Sequence, residues 1–185
     1  TYGIDPAKNL YEYSKENHTV INDYFSEKID FGIKFDMVVM QNSFAHQPNP
    51  IKFLQNIKNV LHDDGLIFIQ TSQADMVKNN EFDTIYHEHI NFFNLKSMHE
   101  LLKRSDLKLH NVIKDPIHGS SYIFFIKKKS DQNKVKFLFK KEKVLNIKYY
   151  KNWSKKCKSL AYRIKKKIEI ISKKNTVIGY GAAAK

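Results

Sequence analysis

Cysteine is nearly absent from this sequence: Cys157 is the only one in 185 residues. A single thiol makes no internal disulfide and no thiolate-based structural zinc site, and it fits a reducing, cytoplasmic compartment. Arginine is almost as scarce. Arg104 and Arg163 are the only two among 32 positively charged residues. That counts against the bidentate phosphate and guanine contacts for which arginine is preferred. No apolar run approaches the ~18 residues a membrane-spanning helix needs. What is present is core material: 42% of residues are hydrophobic and 13% aromatic. Wholesale disorder and a low-complexity scaffold are thereby excluded. The length suits one domain or one and a half.

The net charge is +13, and it is unevenly placed. Residues 127–174 hold 19 Lys and Arg against three acids, which leaves the rest of the chain at −3. A basic segment can meet nucleic acid or an anionic surface, or it can simply be a solvated helix face. The scarcity of arginine favours the solvated face.

Residues 1–115 alternate short apolar runs with amphipathic stretches. Residues 2–4 read as the end of a strand, closed by Asp5 and a helix-entry proline, Pro6. Residues 7–17 then read as a short helix and 19–21 as a possible short strand. Residues 35–40 and 66–69 read as buried strands. Between them, Ile51, Leu54, Ile57 and Leu61 recur at helical spacing. Asp63-Asp64-Gly65 reads as a turn. A helix is expected over 97–105, and strands over 107–113 and 121–126. This alternation predicts an α/β fold, a mostly parallel sheet with helices on its faces. The link between the last two strands is too short for a parallel crossover, so they should pair antiparallel. From 134 to 173 the apolar residues, Tyr149, Trp153 and Cys157 among them, recur at three- and four-residue steps. That predicts one long amphipathic helix or two joined ones, with lysines outward. Residues 176–181 read as a strand running into a Gly turn. The chain starts at Thr1 without a signal peptide and stops just after that turn, so it reads as a piece of a longer protein.

The densest chemical cluster is Glu81-Phe82-Asp83-Thr84-Ile85-Tyr86-His87-Glu88-His89. It gathers groups suited to proton transfer near neutral pH. It follows a strand by a loop, where ligands gather in open α/β sheets. Asn42-Ser43-Phe44-Ala45-His46 follows the preceding strand and should reach the same sheet edge. Three readings stay open on the residues alone. His87, Glu88 and His89 could ligate a metal, although no third ligand stands at a recognisable spacing. The cluster could be a polar loop with incidental histidines. It could also be acid/base machinery beside a small-molecule site.

The run Asn80-Glu81-Phe82-Asp83-Thr84-Ile85-Tyr86-His87-Glu88-His89 resembles the signature of the sugar C-methyltransferases. These transfer a methyl group from S-adenosylmethionine to a carbon of a nucleotide-linked keto-deoxysugar. Gly3-Ile4-Asp5-Pro6-Ala7 resembles that family's second-strand motif, and Asn42-Ser43-Phe44-Ala45-His46 its Asn-x-x-x-His motif. Pro116-Ile117-His118-Gly119-Ser120-Ser121 is similar to its Pro-x-His-Gly-Gly-Ser hairpin, with Ser120 in place of the second glycine. Gly179-Tyr180-Gly181-Ala182-Ala183-Ala184-Lys185 is similar to the Gly-rich turn of its C-terminal domain. Five motifs in family order are far more specific than a lone Gly-x-Gly.

The resemblance implies a Rossmann-like class I methyltransferase sheet over residues 1–127. Residues 128–185 would open a second α/β domain. It implies S-adenosylmethionine as cofactor, with Asp5 accepting from its ribose hydroxyls; a helix-capping role for Asp5 is the alternative. It implies His89 as the base that forms a sugar enolate, with Tyr86 and Glu88 positioning the sugar and orienting His89. Asn42 and His46 would line the same pocket. His118 would contact substrate or simply shape the hairpin, and His87 would be structural.

In this family a first strand and its Gly-rich cofactor loop precede the second-strand motif, and an N-terminal segment of paired cysteines binds zinc. Neither lies in these residues. The expectation is a sheet with unpaired edges, and 185 residues that bind S-adenosylmethionine poorly and catalyse nothing measurable on their own. The other readings are an inactive remnant, a basic module binding nucleic acid, and a methyltransferase for another acceptor.

Overall fold

Two parallel strand pairs organise the first half of the chain. In the computed structural model, which describes residues 1–131, 133, 135, 136, 139 and 146–179, β1 (Tyr2–Ile4) pairs with β2 (Thr19–Ile21) across α1 (Lys8–Ser14). β3 (Phe35–Gln41) pairs with β4 (Leu61–Thr71) across α2 (Pro50–Val60). A parallel pair needs such a crossover, and its apolar strands ask for cover. α2 starts where the sequence says it should. Pro50 fills the first turn, and the Asn49 side chain accepts the Lys52 N–H at 3.1 Å.

α3 (Met76–Asn79) and α4 (Leu95–Arg104) follow, and then β5 (Lys108–Asp115) and β6 (Ser121–Lys127). β6 inserts antiparallel between β4 and β5, giving the sheet order β3-β4-β6-β5. The antiparallel pairing of the last two strands is as expected. β1 and β2 form a separate two-stranded sheet. Tyr2, Phe31 and Phe35 join the two sheets by edge-to-face ring contacts of 4.9–6.0 Å. No backbone ladder joins β1 to β3 among the described residues.

Three boundaries differ from the sequence reading. β4 begins at Leu61, because residues 62–65 bulge out of the strand rather than precede it. Phe35 pairs with Leu61 and Met37 already pairs with Leu66. The helix over 134–173 is described as Ile147–Ser172. Upstream of it, Val135 is buried in the core, and residues 140–145 lie outside the described residues. Residues 176–179 form no strand, and 180–185 lie outside the described residues.

One face of the four-stranded sheet carries the core. Leu54 and Ile57 of α2, and Met98 and Leu102 of α4, pack on Ile67, Ile69, Phe124 and Ile126, all essentially inaccessible to water. The other face is apolar but thinly covered: Met37 and Val39 are 56% and 54% exposed. Along the long helix only Cys157 is buried, and the lysines face water as expected. Its lower stripe of Ile164, Ile168 and Ile171 stays largely exposed instead of reaching a core.

α4 forms through a reciprocal cap. The Asn94 side chain accepts the Ser97 N–H at 2.8 Å, and the Ser97 hydroxyl oxygen accepts the Asn94 N–H at 3.0 Å. Asn94→Ala should therefore lower the stability to urea by about 1 kcal/mol without altering the sheet. The urea midpoint of the variant checks this.

Candidate functional site

β3 and β4 run parallel, so their C-terminal ends open on the same edge. Asn42 leaves β3 in the left-handed region, with φ of 52°, a conformation that asparagine tolerates better than most residues. Its N–H still donates to Gln70 O at 3.1 Å, which extends the ladder by one bond. Its side-chain Oδ1 is buried and has no partner among the described residues. A single 3-10 turn, Phe44–His46, then carries His46 away from the sheet.

At the end of β4, buried Gln73 braces the return of the motif loop. Its Nε2 donates to Asn91 O at 3.0 Å, and its Oε1 accepts the Phe93 N–H at 3.0 Å. Asn91 in turn donates its own N–H to Ala45 O at 3.1 Å and its Nδ2 to Gln47 O at 2.6 Å. Phe44 stacks on Phe93 with ring centroids 5.0 Å apart. The two motif segments are thus sewn together, as the sequence implied. Neither Gln73 nor Asn91 stood out in the sequence, since a lone amide carries no pattern.

The centre of the site is His89. Its Nδ1 donates to Thr84 O at 2.9 Å, and Tyr86 Oη donates to its Nε2 at 3.0 Å. A carbonyl can only accept, so the Thr84 bond puts the proton of the neutral imidazole on Nδ1 and the lone pair on Nε2. The Tyr86 ring lies 4.2 Å and the His46 ring 5.0 Å from the His89 ring, between centroids. His46 Nδ1 donates to Glu88 O at 2.8 Å, which fixes that ring too. The result is an oriented imidazole base with a phenol on its free nitrogen and a second imidazole beside it.

One expectation is corrected here. The Glu88 carboxylate does not orient His89. Residues 86–89 form a turn, closed by the His89 N–H on Tyr86 O at 3.1 Å. Positions 86 and 89 meet across that turn, while the side chains of 87 and 88 project outward. His87 is 77% exposed, and its Nε2 lies 3.8 Å from Glu88 Oε1. Glu88 serves the site through its carbonyl, and the Thr84 carbonyl does the orienting. Among the described residues no three His, Cys, Asp or Glu side chains come together as a metal centre.

Two other residues stand apart from the histidines. Asp5 is exposed at the end of β1, where its Oδ1 accepts the Ala7 N–H at 2.7 Å; the N-cap of α1 is Ala7, with no side-chain cap bond, so Asp5 does not take the helix-capping role. His118 is exposed at the hairpin tip with φ of 56°. Its neighbour Gly119 does reach the motif loop. Its φ is 87°, a conformation that favours glycine, and a Cβ there would stand 2.8 Å from Glu81 Oε1. Glu81 also accepts from Asn79 Nδ2 at 3.0 Å, and its Oε2 is buried without a partner among the described residues. From its residue type alone, Glu81 carries no role beyond membership of the cluster.

Residues 1–112 match the family model described as a methyltransferase domain. The C-methyltransferase NovU of Streptomyces niveus is 27% identical over 205 residues, an alignment covering 99% of this chain and 47% of that protein. The chain thus spans about half the length of this relative. Among solved structures, an S-adenosylmethionine-dependent methyltransferase from Clostridium acetobutylicum superposes with a TM-score of 0.51 at 8% identity, covering 69% of this chain and 74% of that one. The plantazolicin methyltransferase BpumL, solved with SAH, superposes at 0.50 with 14% identity over 69% of this chain and 67% of that one. Such low identities establish a shared α/β Rossmann-like fold. With the family model covering more than half of its residues, the chain belongs to the methyltransferase-domain family.

Proposed function

We propose that this chain is part of an S-adenosylmethionine-dependent C-methyltransferase acting on a nucleotide-linked keto-deoxysugar. The observation that carries the reading is the held imidazole: His89 is oriented by Thr84 O and presents Nε2 to Tyr86. The likeness to a named C-methyltransferase along nearly the whole chain supports it.

In this mechanism His89 Nε2 takes the proton from the carbon beside the sugar ketone. The Tyr86 hydroxyl leaves Nε2 as the substrate enters and donates to the ketone oxygen, where negative charge develops. His46, fixed on the Glu88 carbonyl, and Asn42, with its unpartnered Oδ1, supply polar contacts to the sugar. The enolate carbon is then the nucleophile for a methyl group; as the C–C bond formed, the donor's S–CH3 bond would break and its electron pair would leave on sulfur, giving the neutral thioether S-adenosylhomocysteine. Bound S-adenosylmethionine supplies that methyl as an electrophile on sulfur. Asp5, exposed at the C-terminal end of β1, is suited to accept from ribose hydroxyls with the carboxylate oxygen that the Ala7 N–H leaves over. Holding carbon and methyl in line supplies much of the remaining rate.

Residues 1–127 form the cofactor half of this scheme, and 128–185 begin a second domain. The unladdered edges of β1 and β3 suit one further strand from sequence preceding Thr1, which would also bring the Gly-rich cofactor loop. The zinc segment of the resembled family would lie there as well. The 185 residues alone should then transfer no methyl, and the longer natural polypeptide should transfer it to carbon. Carbon NMR of a product made with labelled methyl donor decides this. A methyl resonance in the carbon-bound range supports the reading, and one in the oxygen-bound range refutes it.

A further inference from the structure

Glu81 opens the motif loop with its carboxylate turned toward the hairpin that joins β5 to β6. At the tip of that hairpin His118 and Gly119 have φ of 56° and 87°, successive positive values of the kind that tight hairpin turns use. The hairpin is docked on the same sheet edge as the histidines, because the Ala74 N–H, just past β4, donates to Ser120 O at 3.0 Å. A Cβ on Gly119 would stand 2.8 Å from Glu81 Oε1, so carboxylate and hairpin backbone lie in contact.

The carboxylate is poorly paired for its place. Oε1 accepts from Asn79 Nδ2 at 3.0 Å, across the left-handed residue Asn80, while Oε2 is buried with no donor among the described residues. An ionised carboxyl can only accept, and one amide does not replace the water both oxygens have lost. A buried polar group left short of partners calls for a reason. The reason lies in the backbone of the same residue. The Glu81 N–H donates to Met76 O at 2.8 Å, and Glu81 O accepts from Thr84 Oγ1 at 3.0 Å. Thr84 O in turn accepts from His89 Nδ1 at 2.9 Å. An unbroken series of contacts thus runs from Gly119 through Glu81 and Thr84 to the imidazole.

We propose that Glu81 is a positioning residue for His89. Its carboxylate, wedged between Asn79 and Gly119, fixes the carbonyl that holds Thr84, and Thr84 O keeps the imidazole proton on Nδ1. The proposal rests on the reading of His89 as the base and adds what keeps its lone pair on Nε2. Tyr86 does not settle this alone. A phenol can donate to Nε2 or accept from it, so that contact permits either tautomer. The Thr84 carbonyl decides, and Glu81 sets its place. The hairpin thereby has a role that does not need His118 to touch substrate: it closes on Glu81.

The test uses the longer natural polypeptide with isotope-labelled histidine. The nitrogen NMR shifts of the His89 ring, assigned by their loss in His89→Asn and recorded well above the ordinary histidine pKa, report its tautomer. Wild type should show the Nδ1–H form alone, and Glu81→Ala a mixture of the two. Hydrogen exchange at the sugar carbon, measured without methyl donor, should fall about 10–100-fold in kcat in Glu81→Ala, with KM within ~2-fold. Glu81→Gln keeps the acceptor for Asn79 and the volume beside Gly119, and should restore kcat to within ~5-fold of wild type. Gly119→Ala presses on the carboxylate from the hairpin side and keeps the test valid should Glu81→Ala misfold. It should lower kcat at least ~5-fold alone, but less than ~2-fold in the Glu81→Ala background, the non-additivity of coupled neighbours. A single Nδ1–H tautomer with unchanged kcat in Glu81→Ala overturns the positioning role and leaves the reaction standing. A fall in kcat with the tautomer still single overturns it too, since Glu81 then acts on something other than the imidazole proton. A tautomer mixture in Glu81→Ala, with neither exchange nor transfer in wild type, supports the positioning role and overturns the reaction.

Discussion

In the longer polypeptide that the proposed function calls for, replacing His89 with alanine should lower methyl transfer by about 10²–10⁴-fold, the usual weight of a positioned general base, while S-adenosylhomocysteine binds as before. The argument is geometric. His89 Nδ1 is committed to Thr84 O at 2.9 Å, so the ring can offer only Nε2 to a substrate. The nearest candidate to replace it is His46, whose Nδ1 is likewise committed, to Glu88 O at 2.8 Å. His46 lacks the Tyr86 contact and should not rescue the rate. A second readout isolates the proton step. With methyl donor withheld, the sugar carbon beside the ketone should exchange its hydrogen for deuterium in wild type, and that exchange should disappear in His89→Ala. Retained exchange with lost transfer would move the base elsewhere. Tyr86→Phe should keep cofactor binding and lose part of the exchange rate, because the proposed mechanism makes the phenol the donor for the developing oxyanion.

The largest effect on stability should come from Phe44→Ala, at about 3–5 kcal/mol. Phe44 is fully buried and stacks on Phe93 at 5.0 Å and tilts against Phe53 at 6.1 Å. It sits between Asn42 and His46 in the chain, so its ring anchors the turn that presents both. Its loss removes aromatic area and leaves a cavity under the site. Urea unfolding should show the destabilisation. Phe44→Leu should recover most of it. A drop within ~0.5 kcal/mol for Phe44→Ala would mean the turn is held by the Asn91 bonds alone.

How far the sequence reads depends on the kind of signal. The strand–helix–strand units at 2–21 and 35–71 were legible because apolar runs bounded by Pro50 and by Asp5-Pro6 leave few alternatives. The meeting of the Asn42–His46 segment with the His89 loop followed from two parallel strands ending on one edge. The identity of the groups that orient His89 was not legible. Backbone carbonyls such as Thr84 O leave no trace in side-chain identity, and a turn at 86–89 reverses which neighbours share a face. The same applies to Asp63-Asp64-Gly65. Those residues have turn chemistry and do turn, but as an excursion within β4, which only the partner register reveals. The stripe at Tyr149 and Trp153 is equally ambiguous, since a helix face packs on a core or lines a cavity with the same periodicity.

The excursion in β4 has a practical meaning. Phe35 and Met37 are two residues apart, yet their partners Leu61 and Leu66 are five apart, so the ladder resumes beyond the excursion with its register shifted by three residues. His62, Asp63 and Asp64 are exposed, and Asp63 is tied to Lys128, at 2.9 Å. Gly65 closes the excursion tightly, because a Cβ there would stand 2.7 Å from the Leu61 side chain. The strand enters at this end, and the histidines gather at the other. Between Asp63 and Asp64 the fold therefore offers a point where an epitope or a fluorescent label can be spliced in, with the sheet acting as spacer between the graft and the chemistry.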